Sequence, residues 1–327
     1  NNRIEFTAEW YKNRSVDLLY SVPVPSQAGV SNTTVTMNAA SMDNSGFEFS
    51  ATYRNHDNPF KYDISANLST LKNKVTSLGF GTDSYITGAY ATYVGQEVGQ
   101  FYGWVYEGIA RTQSDLDNHA TQQGANIGDC LYKDVSGADG VPDGKIDAYD
   151  QVVLGSGLPK INFGISARME YKGFDLTIAT YGALNYHVSD DIYNSLNSCY
   201  GWGNKDVAIL GANQYSADGL TYTSDVPRTY VTNNATLAWN DLFSSRKIQN
   251  AAYWKIANVE LGYNFPDKWF GGYVSSARFY VSAQNLYTFT GYHGYNVDYA
   301  GGTFTPGYNF CSFPTPHTYM CGVQFTF

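Results

Sequence analysis

Strict two-residue alternation of apolar and polar side chains recurs along this chain, and few folds accommodate it. Ile4, Phe6, Ala8 and Trp10 share one face of an extended segment, with Glu5, Thr7, Glu9 and Tyr11 on the other. The pattern returns with Phe47, Phe49, Ala51 and Tyr53, and with Tyr62, Ile64, Ala66 and Leu68. It returns again with Phe163, Ile165, Ala167, Met169 and Tyr171, then with Phe174, Leu176 and Ile178. Later runs are Val259, Leu261, Tyr263 and Phe265, then Ala277, Phe279, Val281 and Ala283. The last is Tyr319, Cys321, Val323, Phe325 and Phe327. Eight strands are expected near 3–12, 46–54, 60–72, 161–171, 174–184, 252–265, 277–290 and 317–327. Most reach the ~9–11 residues that a tilted strand needs to cross a bilayer.

The connections constrain the fold further. Between successive strands lie 33, 5, 88, 2, 67, 11 and 26 residues, so long and short alternate throughout. An up-and-down antiparallel membrane barrel, with long loops at one end and tight turns at the other, produces this asymmetry. A soluble sandwich shows turn signals every 8–12 residues instead. Asn55-His56-Asp57-Asn58-Pro59, Lys172-Gly173 and the stretch from Pro266-Asp267-Lys268 read as the turns. Aromatics at strand ends (Trp10, Tyr53, Tyr62, Tyr171, Tyr263, Phe265, Tyr319) match the girdles of such barrels. The opposite face carries Glu, Asp, Lys, Arg, Asn, Gln and Ser, which suit a wet lumen.

Composition excludes other classes. The net charge of −9 gives no general attraction for phosphate backbones, so no nucleic-acid partner is expected. No apolar run approaches the ~18 residues of a membrane helix. The chain opens on Asn1-Asn2-Arg3 without Met or a signal-type leader, the expectation being a processed precursor or a start within a longer protein. Cys130, Cys199, Cys311 and Cys321 have no zinc-type spacing; a disulfide among the first three and free thiols are both open. No HExxH or GxSxG motif appears, so no catalytic residues are expected.

Several phrases together resemble one family. They are Ser21-Val22-Pro23-Val24-Pro25, Gly95-Gln96-Glu97-Val98-Gly99-Gln100-Phe101-Tyr102-Gly103, Asp143-Gly144-Lys145-Ile146-Asp147 and Gly155-Ser156-Gly157-Leu158-Pro159-Lys160. Glu170-Tyr171-Lys172-Gly173-Phe174-Asp175-Leu176, Leu261-Gly262-Tyr263-Asn264-Phe265-Pro266 and Val281-Ser282-Ala283-Gln284-Asn285-Leu286-Tyr287 continue the series, which ends at Gly322-Val323-Gln324-Phe325-Thr326-Phe327. In order and spacing these resemble the C-terminal barrel portion of a SusC/RagA-type TonB-dependent outer-membrane transporter of the Bacteroidota. The resemblance implies a 22-stranded barrel of which residues 1–327 supply about the last eight strands, the plug domain and N-terminal strands lying outside this chain. It also implies import of an oligosaccharide or oligopeptide, with a SusD-like surface lipoprotein as lid. The expected partners are the rest of the barrel and plug, that lipoprotein, TonB through the absent N-terminal part, and outer-membrane lipid. A free-standing eight-stranded outer-membrane adhesin or scaffold is the alternative; a soluble lectin or glycan hydrolase is the third. The first two differ in whether the first strand closes against the last.

Three loop regions carry the candidate site residues. Ligand- or lid-contacting aromatics are expected in the last long loop (Tyr292, Tyr295, Tyr299, Phe304, Tyr308) and in the loop after the fifth strand (Tyr200, Trp202), because flat rings stack on sugars and bury well against proteins. Packing within the loops and the outer aromatic belt would use the same residues. In the acidic segment 134–150, Asp139, Asp143, Asp147 and Asp150 fall at positions 1, 5, 9 and 12 of a calcium-loop register, with Gly144 at position 6. Val141 at position 3 offers no side-chain oxygen. Structural Ca2+ and a solvated Asp/Gly turn that caps itself are the two readings; no other cofactor is implied.

Overall fold

In a computed structural model, residues 3–23, 34–79, 81–198, 204–229, 239–270, 274–298 and 301–327 are described. Eight long strands form one antiparallel sheet in chain order: β1 (Ile4–Pro23), β2 (Thr34–Asn55), β3 (Lys61–Thr70), β4 (Ile161–Tyr171), β5 (Phe174–Leu184), β6 (Tyr253–Phe265), β7 (Ser276–Thr290) and β8 (Thr318–Thr326). A ninth strand, Lys72–Ser77, continues the line of β3 against the upper part of β2.

The register keeps the two faces distinct across the whole sheet. One transverse row runs Ile4, Tyr53, Ile64, Ala167, Ile178, Val259, Ala283, Tyr319. A row of the other face runs Thr7, Ser50, Asn67, Gly164, Tyr181, Lys255, Thr288. The apolar face is uncovered: Phe6, Trp10, Phe47, Ile64, Ile165, Leu261, Val281 and Val323 are all exposed. In water such a face would be buried; against acyl chains it needs no cover. Aromatics mark both its margins. At the short-turn end Phe60 contacts Tyr62 and Tyr171, Phe174 packs on Tyr263, and Phe265 contacts Trp269. At the other end Trp254 stacks on Phe289 at 5.3 Å. Phe279 and Phe289, near the two margins of β7, lie ten residues apart. At ~3.3 Å per residue and ~40° of tilt, ten residues span about 25 Å, the height of an outer-membrane apolar band.

The turns have the chemistry their lengths require. Lys172 and Gly173 both have positive φ (48° and 86°), as a two-residue type I′ hairpin demands. Pro266 ends β6 before a short 3₁₀ turn at Asp267–Phe270.

The first long loop departs from expectation. β1 and β2 continue far beyond residues 12 and 46, so most of it is a strand hairpin. The sequence signal failed because register shifts between Ser15 and Leu19 move the alternation out of phase, with Asp17 at φ 55°. The extension leaves the membrane sheet and builds a core of its own. Tyr20, Ala40 and Met42 bury against Val75, Leu78 and Val98. The sheet stays open: β1 and β8 are its two edges and do not pair.

Candidate functional site

The long loops are folded against one another over the mouth of the wall, held by close backbone approach and buried polar contacts. His187–Asp190, just after β5, pairs antiparallel with Gln249–Asn250 and parallel with Tyr308–Asn309. It thereby joins the loop after β5 to the last loop. The loop after β3 enters through glycines. A Cβ on Gly99 would collide with Phe304 and Pro306, one on Gly157 with Pro306, and one on Gly307 with the His187 carbonyl. Two of these glycines, Gly99 and Gly157, lie in the phrases Gly95–Gly103 and Gly155–Lys160, where they permit this close packing of backbone.

Beneath this junction lies a buried polar group. The Tyr292 hydroxyl donates to the Asp190 carboxylate, and Asn309 Nδ2 donates to Asp190 Oδ2 at 3.1 Å and to the Tyr292 oxygen at 2.7 Å. Asp190 Oδ1 also accepts from the Tyr193 amide at 2.8 Å, capping the helix Asp191–Leu196. Burial, with the Asp190 charge beside it, pushes the Tyr292 phenol well above its ordinary range. Burial alone lowers His187.

A second polar group joins the last loop to the lumenal wall. Asp298 accepts from Tyr181 at 3.0 Å, from Tyr253 at 3.0 Å and from the Lys255 ammonium at 2.6 Å. Nothing in the sequence pattern foretold this meeting of three strand residues with a loop carboxylate more than forty positions away.

The expected aromatics separate into different roles. Tyr292 is buried and structural. Phe304 packs on Tyr20, ring centroids 5.1 Å apart, and helps close the core above the hairpin. Tyr308 sits in the short strand Tyr308–Asn309 and stacks on Phe310. Tyr295 is 61% exposed and is the member of the set that presents its ring to an open pocket. Tyr299, Tyr200 and Trp202 lie outside the described residues, as does Cys199. Cys311 and Cys321 are free thiols, so neither forms a disulfide.

The acidic segment does not assemble as the calcium register supposes. Asp150 is fully buried; its Oδ1 accepts from the Val135 and Ser136 amides, and its Oδ2 from the Asp147 amide at 2.8 Å. Asp147 caps Tyr149, and Asp143 accepts from the Lys145 amide at 3.0 Å. Asp139 stays exposed. Asp143, Asp147 and Asp150 are committed to separate backbone donors, and no group of three or more His, Cys, Asp or Glu among the described residues is arranged to hold a metal ion.

An open antiparallel wall with an uncovered apolar band, a polar inner face and loops folded over one end defines a class: the large outer-membrane β-barrels. No protein-family model matches the chain. It is similar to TonB-dependent receptor P3 of Formosa agariphila, 28% identical over all of this chain and 33% of that protein. It is similar also to the TonB-dependent receptor SusC of Bacteroides thetaiotaomicron, 24% identical over all of this chain and 30% of that protein. A solved RagAB peptide transporter superposes with a TM-score of 0.78 at 24% identity, covering all of this chain and 33% of the other. The fold is thus that of a SusC/RagA-type TonB-dependent outer-membrane barrel, in keeping with the resemblance carried by the sequence phrases. The chain spans about a third of the length of these relatives, which are receptors and a transporter rather than enzymes.

Proposed function

We propose that residues 1–327 form the C-terminal, loop-bearing portion of the barrel of a TonB-dependent importer, working with a plug domain and further strands. The observation that carries this reading is the open sheet. Unpaired N–H and C=O groups along β1 and β8 cannot remain bare in hydrocarbon, so both edges need partner strands. That requirement disfavours a free-standing eight-stranded adhesin, whose first and last strands would pair. The cargo in this reading is a nutrient oligosaccharide or oligopeptide. The folded loops form the landing surface for a SusD-like lipoprotein lid, and TonB acts through the plug. The exposed rings of the last loop, Tyr295 and, separately, the stacked pair Tyr308–Phe310, are the aromatics offered to cargo or lid.

The test is deletion of the gene for the full-length protein, followed by uptake assays with labelled oligosaccharides and oligopeptides in cells with and without TonB. Loss of uptake of one class in both the deletion and the TonB-deficient strain is expected. Undiminished uptake of every class in the deletion strain overturns the proposal.

A further inference from the structure

Toward the long loops, the outward face of the first strands changes character without changing register. On β1 the outward run Ile4, Phe6, Ala8, Trp10 continues into Lys12 and Arg14. On β2 the outward run Tyr53, Ala51, Phe49, Phe47 continues into Ser45 and Asp43. The strand Lys72–Ser77 keeps the phase of β3 and adds Lys72 and Lys74 to the same face. Lys12 and Lys72 both stand opposite Ser45, and Arg14 and Lys74 both stand opposite Asp43. Side-chain contacts agree with the register: the Asp43 carboxylate is 3.3 Å from Lys12 Nζ and 3.8 Å from Arg14 Nε. Alternate residues turn inward. Asn73 Nδ2 donates to Asn44 Oδ1 at 2.7 Å, and Met42 and Val75 are buried with Val98. A packed inner side thus holds four cations and one carboxylate on the outward side.

We propose that this patch binds the headgroup of an outer-leaflet lipid through a phosphate monoester. Position argues first. Tyr53 and Tyr62, ring centroids 5.7 Å apart, mark the short-turn margin of the apolar band on β2 and β3. Asp43 lies ten residues from Tyr53, and Lys72 ten residues from Tyr62. Phe279 and Phe289 span the same ten residues on β7, from one margin to the other. The cations therefore stand where hydrocarbon gives way to headgroups at the long-loop end, which faces outside. Lys and Arg suit that level, their stems lying along apolar surface and their charges raised to the headgroups. Charge argues second. Asp43 is the one carboxylate against four cations, and Lys72 and Lys74 are exposed and form no ion pair among the described residues. In a chain of net charge −9, this surplus is local and not general. A phosphate monoester offers about two negative charges near neutral pH and strong acceptor oxygens, which match it. A zwitterionic headgroup brings its own cation and does not. Continuity argues third. The patch lies on the same face as the apolar band, so the lipid that covers the band reaches it. A strand completing the barrel beside β1 lies in the plane of the sheet and leaves this face open. The inference requires the outer-membrane setting of the wall and is independent of the cargo.

The experiment is native mass spectrometry of the delipidated full-length protein in detergent. It is titrated with monophosphoryl lipid A and, separately, with the same lipid after its phosphate has been removed. The phosphorylated lipid is expected to form its first adduct at a roughly tenfold lower concentration. The triple variant Lys12→Gln/Lys72→Gln/Lys74→Gln should bring the two lipids to within about twofold of each other. The double variant Lys133→Gln/Lys145→Gln, which removes two exposed cations outside the patch, should keep the full preference. Heat-modifiable migration matching the parent's shows that each variant has formed its barrel. Millimolar inorganic phosphate separates a lipid site from a free-anion site, and the phosphorylated lipid should stay bound in its presence. Equal binding of the two lipids by the parent overturns the proposal whether or not the variants fold. An undiminished preference in the triple variant, an equal loss in the double variant, or displacement of the lipid by inorganic phosphate would each overturn it as well.

Discussion

Asp190 shows how much one side chain does in the loop assembly. It accepts from Tyr292, Asn309 and the Tyr193 amide, and is itself buried. Replacing it with Ala leaves the buried Tyr292 hydroxyl without its acceptor, at a cost of about 1–3 kcal/mol, and takes one of two acceptors from Asn309 Nδ2. Asp190→Ala is therefore expected to open the loops to limited proteolysis near residues 185–198 and 291–313 while leaving the membrane strands protected. Tyr292→Phe, which removes one hydroxyl, should cost roughly 1 kcal/mol. His187 supplies a pH dependence. Burial disfavours its charged form, so the folded pKa lies below the ordinary 6.5. Above that value the ring is neutral in folded and unfolded states alike. As pH falls below it, only the unfolded state gains the proton, and stability declines until the depressed folded pKa is passed. The protection of amides 186–190, with the intrinsic exchange rate at each pH divided out, should therefore fall as pH drops below neutral, and His187→Gln should flatten that response. In the acidic segment, Asp150 is engaged by three backbone amides. Adding millimolar calcium to full-length protein stripped with chelator should leave exchange at residues 134–150 unchanged, and marked protection there would restore the metal reading.

At the scale of elements, the two-residue turn between β4 and β5 is the most local device in the fold. Gly173 holds φ 86°, and an added Cβ would also approach the Asn264 carbonyl and the Tyr263 ring. Gly173→Ala should cost about 1–2 kcal/mol, read as a lower urea midpoint for loss of heat-modifiable migration. Glycine has a different use on the lumenal face. The Arg278 guanidinium lies over Gly262 and reaches Asp175 and, at 2.7 Å, Glu260, where any Cβ on Gly262 would block it. Gly322 leaves the same kind of room for the Tyr280 ring. Strand glycines that read as weak points in the alternation are thus the slots into which neighbouring side chains fit.

The whole molecule is a wall with unlike solvents on its two faces. Val281 faces outward and Ser282, one residue on, faces the lumen. Val281→Arg, two residues inside the margin marked by Phe279, is expected to destabilise the folded barrel by about 1–2 kcal/mol in lipid vesicles, and a lumenal charge such as Gln284→Arg by less. Equal effects at the two sites would mean that the outward face does not meet hydrocarbon. The eight wall strands, their faces and the tight turn were legible in the sequence because each depends on neighbours two residues away, and the membrane leaves that period undisguised. Only the tertiary structure decided the rest. It decided that β1 and β2 run on through a bulge, that Tyr292 and Phe304 are packing residues while Tyr295 stays open, and that Asp150 is used up by amides. It also brought Asp298 to Lys255 beside a pocket. The physical reason is range. A strand's faces follow from local pleating, whereas a loop side chain takes its role from whichever segment, often a hundred residues distant, folds against it.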